Sequence, residues 1–170
     1  VAEDWTLTAG LRYSSETKDA QIISGSAGGA LPLCPSVPAF DCQFDDLSGR
    51  WDNWTPKLGV RYQFTDDVQG YAFWTKGFRT GGFNFRNARP ALVPAGPTEQ
   101  EEQNSYEVGV KTELLDNRLR LNLAYFSNDI DNIQRELNLP DPFVVVLQGT
   151  INAGDVQISG VELDFTAVPI

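Results

Sequence analysis

Six runs of this chain place an apolar side chain at every second position. In Trp5–Tyr13 the odd positions Trp5, Leu7, Ala9, Leu11 and Tyr13 are apolar or aromatic, with Thr6, Thr8, Gly10 and Arg12 between them. Trp54–Phe64 does the same on its even positions, Trp54, Pro56, Leu58, Val60, Tyr62 and Phe64, separated by Thr55, Lys57, Gly59, Arg61 and Gln63. The alternation returns in Tyr106–Leu114, Leu119–Tyr125 and Gly160–Ala167. Val68–Thr80 is less regular, because Tyr71, Phe73 and Trp74 crowd both sides. Successive side chains of a strand point to opposite faces, so each run predicts a strand with one apolar and one polar face.

Two further features decide what kind of strand this is. The runs span about 8–13 residues, longer than the roughly 5–6 of globular strands and close to the roughly 9–11 of a tilted transmembrane strand. The polar faces carry Lys57, Arg61, Glu107, Lys111, Glu113, Arg120, Glu162 and Asp164 in mid-strand. Charges there require water on that face, as in the lumen of a wide barrel. The connections also alternate in length: long over 17–53, short at Thr65–Asp67, long over Gly81–Gln103, short at Leu115–Arg118, long over 134–154. Outer-membrane barrels have short periplasmic turns and long extracellular loops. Aromatics gather near the predicted strand ends, at Trp5, Tyr13, Trp54, Tyr62, Phe64, Phe78, Tyr106, Tyr125, Phe126 and Phe165, as interfacial girdles do. The expected fold is therefore all-β, an antiparallel transmembrane β-barrel segment of about six strands. A passive porin or a soluble β-sandwich binding module is the competing reading; loop sorting and mid-strand charge oppose the sandwich.

Composition narrows the chemistry. The chain has 170 residues, 41% of them hydrophobic, and no apolar run approaches the roughly 18 residues of a spanning helix. The formal charge of −10, with 13 scattered Lys and Arg, argues against nucleic acid as a partner. There is no His, so Ser–His and Cys–His pairs are impossible and a zinc site is not expected. No G-x-S-x-G, P-loop or dinucleotide fingerprint occurs, and no enzyme activity is expected. Asp41, Asp45, Asp46 and Asp52 lack EF-hand spacing and read as a solvated loop.

Cys34 and Cys42 lie in a Pro/Gly/Ser-rich stretch. They are either two surface thiols or a loop disulfide; the bridge is the expectation, and it implies an oxidising compartment. The run Gly77-Phe78-Arg79-Thr80-Gly81-Gly82-Phe83 follows the third strand. Its glycines read plainly as strand termination. The functional reading has Arg79, Phe83, Phe85, Arg86 and Arg89 lining a vestibule for an anionic or aromatic ligand, since Arg forks bidentately onto carboxylates and aromatics stack on planar groups. The chain begins at Val1 without a basic and apolar leader, which reads as a portion of a longer protein or a processed product.

Four segments carry a family resemblance: WTLTAGLRYSSETKD (Trp5–Asp19), PKLGVRYQFTDDVQGYAFWTKGFRTGGFN (Pro56–Asn84), EEQNSYEVGVKTELLDNRLRLNLAYFSNDIDNIQ (Glu101–Gln134) and NAGDVQISGVELDF (Asn152–Phe165). In that order and spacing they resemble TonB-dependent outer-membrane receptors of the siderophore type. The resemblance implies a barrel of 22 strands with an N-terminal plug, in the outer membrane of a Gram-negative bacterium. It implies import of an iron–siderophore complex or another scarce small ligand, driven by the TonB energy-transducing complex. Outer-membrane lipid and lipopolysaccharide would surround the wall. Residues 1–170 show no plug domain, no partner-binding N-terminal motif and no terminal strand ending in an aromatic. They are therefore expected to form an internal or C-terminal portion of the barrel.

Overall fold

The computed structural model describes residues 4–25, 42–84, 95–141 and 145–168. Eight strands are present: β1 (Trp5–Gly25), β2 (Cys42–Thr65), β3 (Val68–Arg79), β4 (Glu101–Leu114), β5 (Leu119–Asp131), β6 (Gln134–Asp141), β7 (Val145–Asn152) and β8 (Val156–Ala167). Six form one antiparallel sheet in the order β1-β2-β3-β4-β5-β8, and β6-β7 is a separate hairpin. The predicted six strands are the six of the sheet. The prediction missed β6 and β7 and cut β1 and β2 short, since much of the supposed 17–53 loop is ladder, continuing to the pair Gly25↔Cys42.

Register aligns the apolar positions of neighbouring strands. One row runs across the whole sheet: Leu7↔Val60, Val60↔Ala72, Ala72↔Val108, Val108↔Tyr125 and Tyr125↔Val161. A second links Val110, Leu123 and Leu163. A one-residue slip anywhere would send these side chains to the wet face, so the pattern itself fixes the pairing. Both rows are exposed: Leu7 is 80%, Val161 67% and Leu163 66% accessible. A continuous apolar face of this size on a protein surface marks contact with another apolar phase.

Two aromatic belts bound the face. Trp5 packs on Tyr62 at 4.4 Å and Tyr62 on Phe64 at 4.9 Å near the short-turn end. Tyr13 packs on Trp54 at 4.8 Å on the other side. Eight residues of strand separate Trp5 from Tyr13, about 26 Å at the usual rise of roughly 3.3 Å, close to the ~25 Å apolar band of outer-membrane barrels. The upper belt is not a strand end, because β1 and β2 run on beyond it.

The opposite face is polar and internally paired. Tyr71 donates to Glu107 Oε1 at 2.6 Å, Arg120 meets Glu113 at 2.8 Å, and Asn122 donates to Asp164 at 3.2 Å. The crowding in β3 resolves cleanly. Trp74 shares the outward row, while Tyr71 and Phe73 lie inward beneath the ammonium groups of Lys111 and Lys57, 5.2 and 5.8 Å from the ring centres. Tyr71 lies over Gly109, where a Cβ would come within 2.6 Å of the phenol oxygen.

The short turns fall where predicted, at Asp66-Asp67 and over Leu115–Arg118. In the second, Leu115, Asp116 and Asn117 all take positive φ. The 22-strand closure implied by resemblance is not reached by this sheet. Among the described residues β1 pairs only with β2, and β8 only with β5, which leaves two open edges. Lipid cannot satisfy such edges, so further strands must cover them in a membrane.

Candidate functional site

Among the described residues, the buried side chains are concentrated at the long-loop end rather than in the sheet centre. Trp51, Ile130 and Ile133 are the buried apolar residues, and Asn53, Asn84 and Gln134 the buried polar ones. Three features of the backbone bring them together. β1 and β2 extend past the upper aromatic belt and carry Lys18 and Trp51 there. Gly81, just after β3, and Thr98, shortly before β4, both lie against Trp51. The β5–β8 pair bends at Asn132 (φ 54°) and Gly154 (φ 119°) and continues as β6-β7. Backbone bonds between Ile133 and Gly154, and between Ala153 and Ile133, both 2.8 Å, hold that bend.

Gly82 and Thr98 clasp the base of the β3–β4 connection: Thr98 N–H donates to Gly82 O at 2.8 Å, and Gly82 N–H donates to Thr98 Oγ1 at 2.9 Å. Trp51 Nε1 donates to Thr98 O at 3.2 Å and its ring meets Phe83 edge-on at 6.0 Å. Gly81 lies against this contact; a Cβ there would fall 1.8 Å from Thr98 O and 2.5 Å from Trp51 Nε1. Only glycine fits. Lys18 Nζ lies 5.3 Å from the Trp51 ring centre, donates to Thr80 Oγ1 at 2.8 Å and to Gly81 O at 2.7 Å, and pairs with Glu16 at 3.3 Å.

Beside this knot is a polar pocket of about 240 Å³ whose lining includes Lys18, Arg79, Phe83, Asn84, Gln134 and Thr150. Among the described residues its lining contains two cations and no carboxylate. Lys18 is occupied by its three oxygen partners, so among the described lining residues the available cation is Arg79, which is exposed. The arrangement offers a guanidinium fork in a pocket that Phe83 also lines, suited to an anionic group on a planar body.

A second cluster lies higher on β4, outside the spanning stretch Tyr106–Leu114. Glu102 pairs with Lys76 at 2.7 Å and accepts from Gln100 at 2.8 Å and from Asn53. Partial burial pushes the Glu102 carboxyl pKa up, but hydrogen bonds from Lys76, Asn53 and Gln100, together with the Lys76 charge, outweigh it, and the net shift is down.

The sequence-predicted site is thus only partly assembled by the described residues. Arg79 lines the pocket. Phe83 lines it too, though its ring is engaged with Trp51. Phe85, Arg86, Arg89 and Cys34 lie outside the described residues. Cys42 closes the β1–β2 ladder opposite Gly25, and nothing further is described of its side chain. Lys18, Trp51, Thr98 and Gln134 escaped sequence reading. They come from segments without apolar alternation, and the one visible signal was a second tryptophan, Trp51, three residues before Trp54 in a polar stretch.

A sheet with one face apolar and banded by aromatics and the other charged is the wall of a transmembrane β-barrel. The chain belongs to the TonB dependent receptor-like, beta-barrel family, whose model matches residues 1–168. It is 32% identical over 143 residues to the catecholate siderophore receptor Fiu of Escherichia coli K12, covering 78% of this chain and 18% of that protein. It is 36% identical over 112 residues to the metal-pseudopaline receptor CntO of Pseudomonas aeruginosa, covering 66% of this chain and 14% of that protein. Among solved structures it is similar in fold to the ferric yersiniabactin uptake receptor FyuA from Yersinia pestis, with a TM-score of 0.67 and 21% identity over 97% of this chain and 22% of that one. The chain thus spans less than a fifth of the length of these curated relatives. They carry the names of receptors, not of enzymes.

Proposed function

We propose that this chain is part of the barrel wall of an outer-membrane receptor of a Gram-negative bacterium that takes up an iron–siderophore complex. TonB-dependent coupling to the inner membrane would supply the energy. The observation that carries the reading is the sheet's two-sidedness: a register-aligned apolar face between aromatic belts, and a charged face held by its own pairs. The relatives' names, a catecholate siderophore receptor and a metal-pseudopaline receptor, support a chelated metal as cargo. Closure by further strands, up to the 22 of the family, belongs to the same proposal. So does a Cys34–Cys42 bridge on the oxidising side of the membrane.

In this reading Arg79 meets an anionic group of the ligand, with Phe83, backed by the buried Trp51, as the aromatic side chain in the same pocket; Phe85, Arg86 and Arg89 extend the same basic and aromatic run in the sequence. The test is uptake of radiolabelled iron, offered as ferric catecholate, pyoverdine-type and metallophore complexes, to cells with and without the full-length gene. Uptake of one class should disappear with the gene and with an uncoupler of the proton gradient. Uptake that survives the uncoupler would point to a passive porin. Unchanged uptake of every class would refute the siderophore assignment.

A further inference from the structure

Two long connections meet at the mouth of the wall. One leaves β3 at Thr80 and rejoins the sheet at Glu101. The other is the β6-β7 hairpin. They share no strand ladder, since among the described residues β6 pairs only with β7. Side-chain amides join them instead. Asn84 donates through Nδ2 to the Thr150 carbonyl at 3.1 Å and accepts through Oδ1 from the Thr150 N–H at 2.7 Å. That is the two-bond exchange by which one strand residue pairs with another. Asn152 repeats it on the other partner: Oδ1 accepts from Glu99 N–H at 2.9 Å, and Nδ2 donates to Glu99 O and to Asn132 O at 3.0 and 2.9 Å. Between them Gln134 donates through Nε2 to the carbonyls of Thr80 and Glu99, each at 3.0 Å, while its own N–H donates to Glu101 Oε2 at 2.7 Å.

We infer that these three amides make the two described ends of the β3–β4 connection, 80–84 and 95–100, and the base of the β6-β7 hairpin one mechanical unit, a collar in which ordering or loosening either side does the same to the other. The physical reason is burial. Asn84 and Gln134 are 7% and 8% exposed. Once one side of such a contact opens, main-chain N–H and C=O groups of the other side lose their partners in a place poorly reached by water, and that cost is larger than the net value of the bonds themselves. Opening is therefore cooperative across both connections. Through Lys18 on Thr80 and Gly81, and Trp51 on Thr98, the collar also reaches the extended ends of β1 and β2. None of this rests on the transport reading; it holds whatever the cargo.

The test is amide hydrogen exchange, read by mass spectrometry on the full-length receptor in detergent, comparing wild type with Asn84→Ala and Asn152→Ala. Asn84→Ala should speed exchange about tenfold at residues 148–152 of the hairpin as well as at 95–98 of its own connection. Asn152→Ala should do the same at 98–101 and at 132–134. Residues 69–78 of β3 should exchange at the wild-type rate in both, which doubles as the check that the barrel has assembled. If Asn84→Ala leaves 148–152 at the wild-type rate, the connections are independent and the collar is refuted. Should that variant fail to assemble, Asn84→Asp keeps the acceptor for Thr150 N–H but cannot donate. Faster exchange of the hairpin then supports the collar, and wild-type exchange there overturns it.

Discussion

The spanning part of the sheet and the mouth above it solve the folding problem in opposite ways. Between the aromatic belts the wall has no interior of its own. Its Leu, Val and Tyr rows stand exposed, Leu7 to 80% and Val161 to 67%, and they gain burial only from the phase outside. At the mouth the chain has left that phase, both strand faces see water, and a small core is built internally from Trp51, Ile130, Ile133 and a set of side-chain amides. The wall is specified by periodicity, the mouth by particular residues. Substitutions in the wall should therefore divide by face, whereas those at the mouth should divide by individual contact.

The largest effect should come from breaking the wall's outer face. Leu123→Arg puts a charge mid-strand on the apolar row and should cost about 2–4 kcal/mol of folding into vesicles. Asn122→Arg, one residue away on the wet face, should cost little. Heat-modifiable gel mobility after refolding into lipid separates the two; equal effects would deny the division by face. Next in size is Gly81→Ala, whose added methyl would overlap Thr98 O and Trp51 Nε1. It should cost roughly 1–3 kcal/mol, confined to the mouth, and free the Trp51 indole, which fluorescence quenching detects. Gly77→Ala, only four residues earlier, meets nothing within 4 Å and should be neutral.

Smaller still is Tyr71→Phe on the wet face. It deletes the bond to Glu107 and should lower stability by about 0.5–1.5 kcal/mol in urea titrations of the refolded protein. The smallest effect is pH-dependent. Glu102 has a lowered folded pKa, so its contribution is present above the ordinary value of 4.5 and fades as pH falls below that through the folded value. Wild type should exceed Glu102→Gln in melting temperature near pH 7, and the gap should shrink as the medium is acidified below 4.5. A gap that widened on acidification would reverse the sign of the argument.

What could be read from the chain follows the same division. The six wall strands were legible because lipid on one face and water on the other impose a period of two. Ser14–Gly25 and Cys42–Asn53 are equally part of strands, but above the belt neither face is selected to be apolar, and the signal vanishes. β6 was hidden for a further reason. Pro140 within it argues against a strand, yet it sits near the hairpin tip opposite Val146. Val68–Thr80 looked two-sided in aromatics because Tyr71 and Phe73, though facing water, are covered by lysines and laid across glycine. At the mouth, Arg79 was found because it immediately leaves a strand. Lys18, Trp51 and Gln134 were not, because they meet Gly81, Thr98 and Thr80 only after the chain has crossed the sheet.

The most direct test of the central claim is a label walked along β5 from Leu119 to Tyr125 in the full-length protein in bilayers, with Cys34 and Cys42 replaced by serine. Collision of each nitroxide with oxygen, which partitions into lipid, and with a water-soluble nickel chelate should alternate strictly. Positions 119, 121, 123 and 125 should favour oxygen, and 120, 122 and 124 the chelate. If instead the odd positions were shielded from both reagents, they would be packed inside a compact centre, and this sheet would not be a wall between lipid and water.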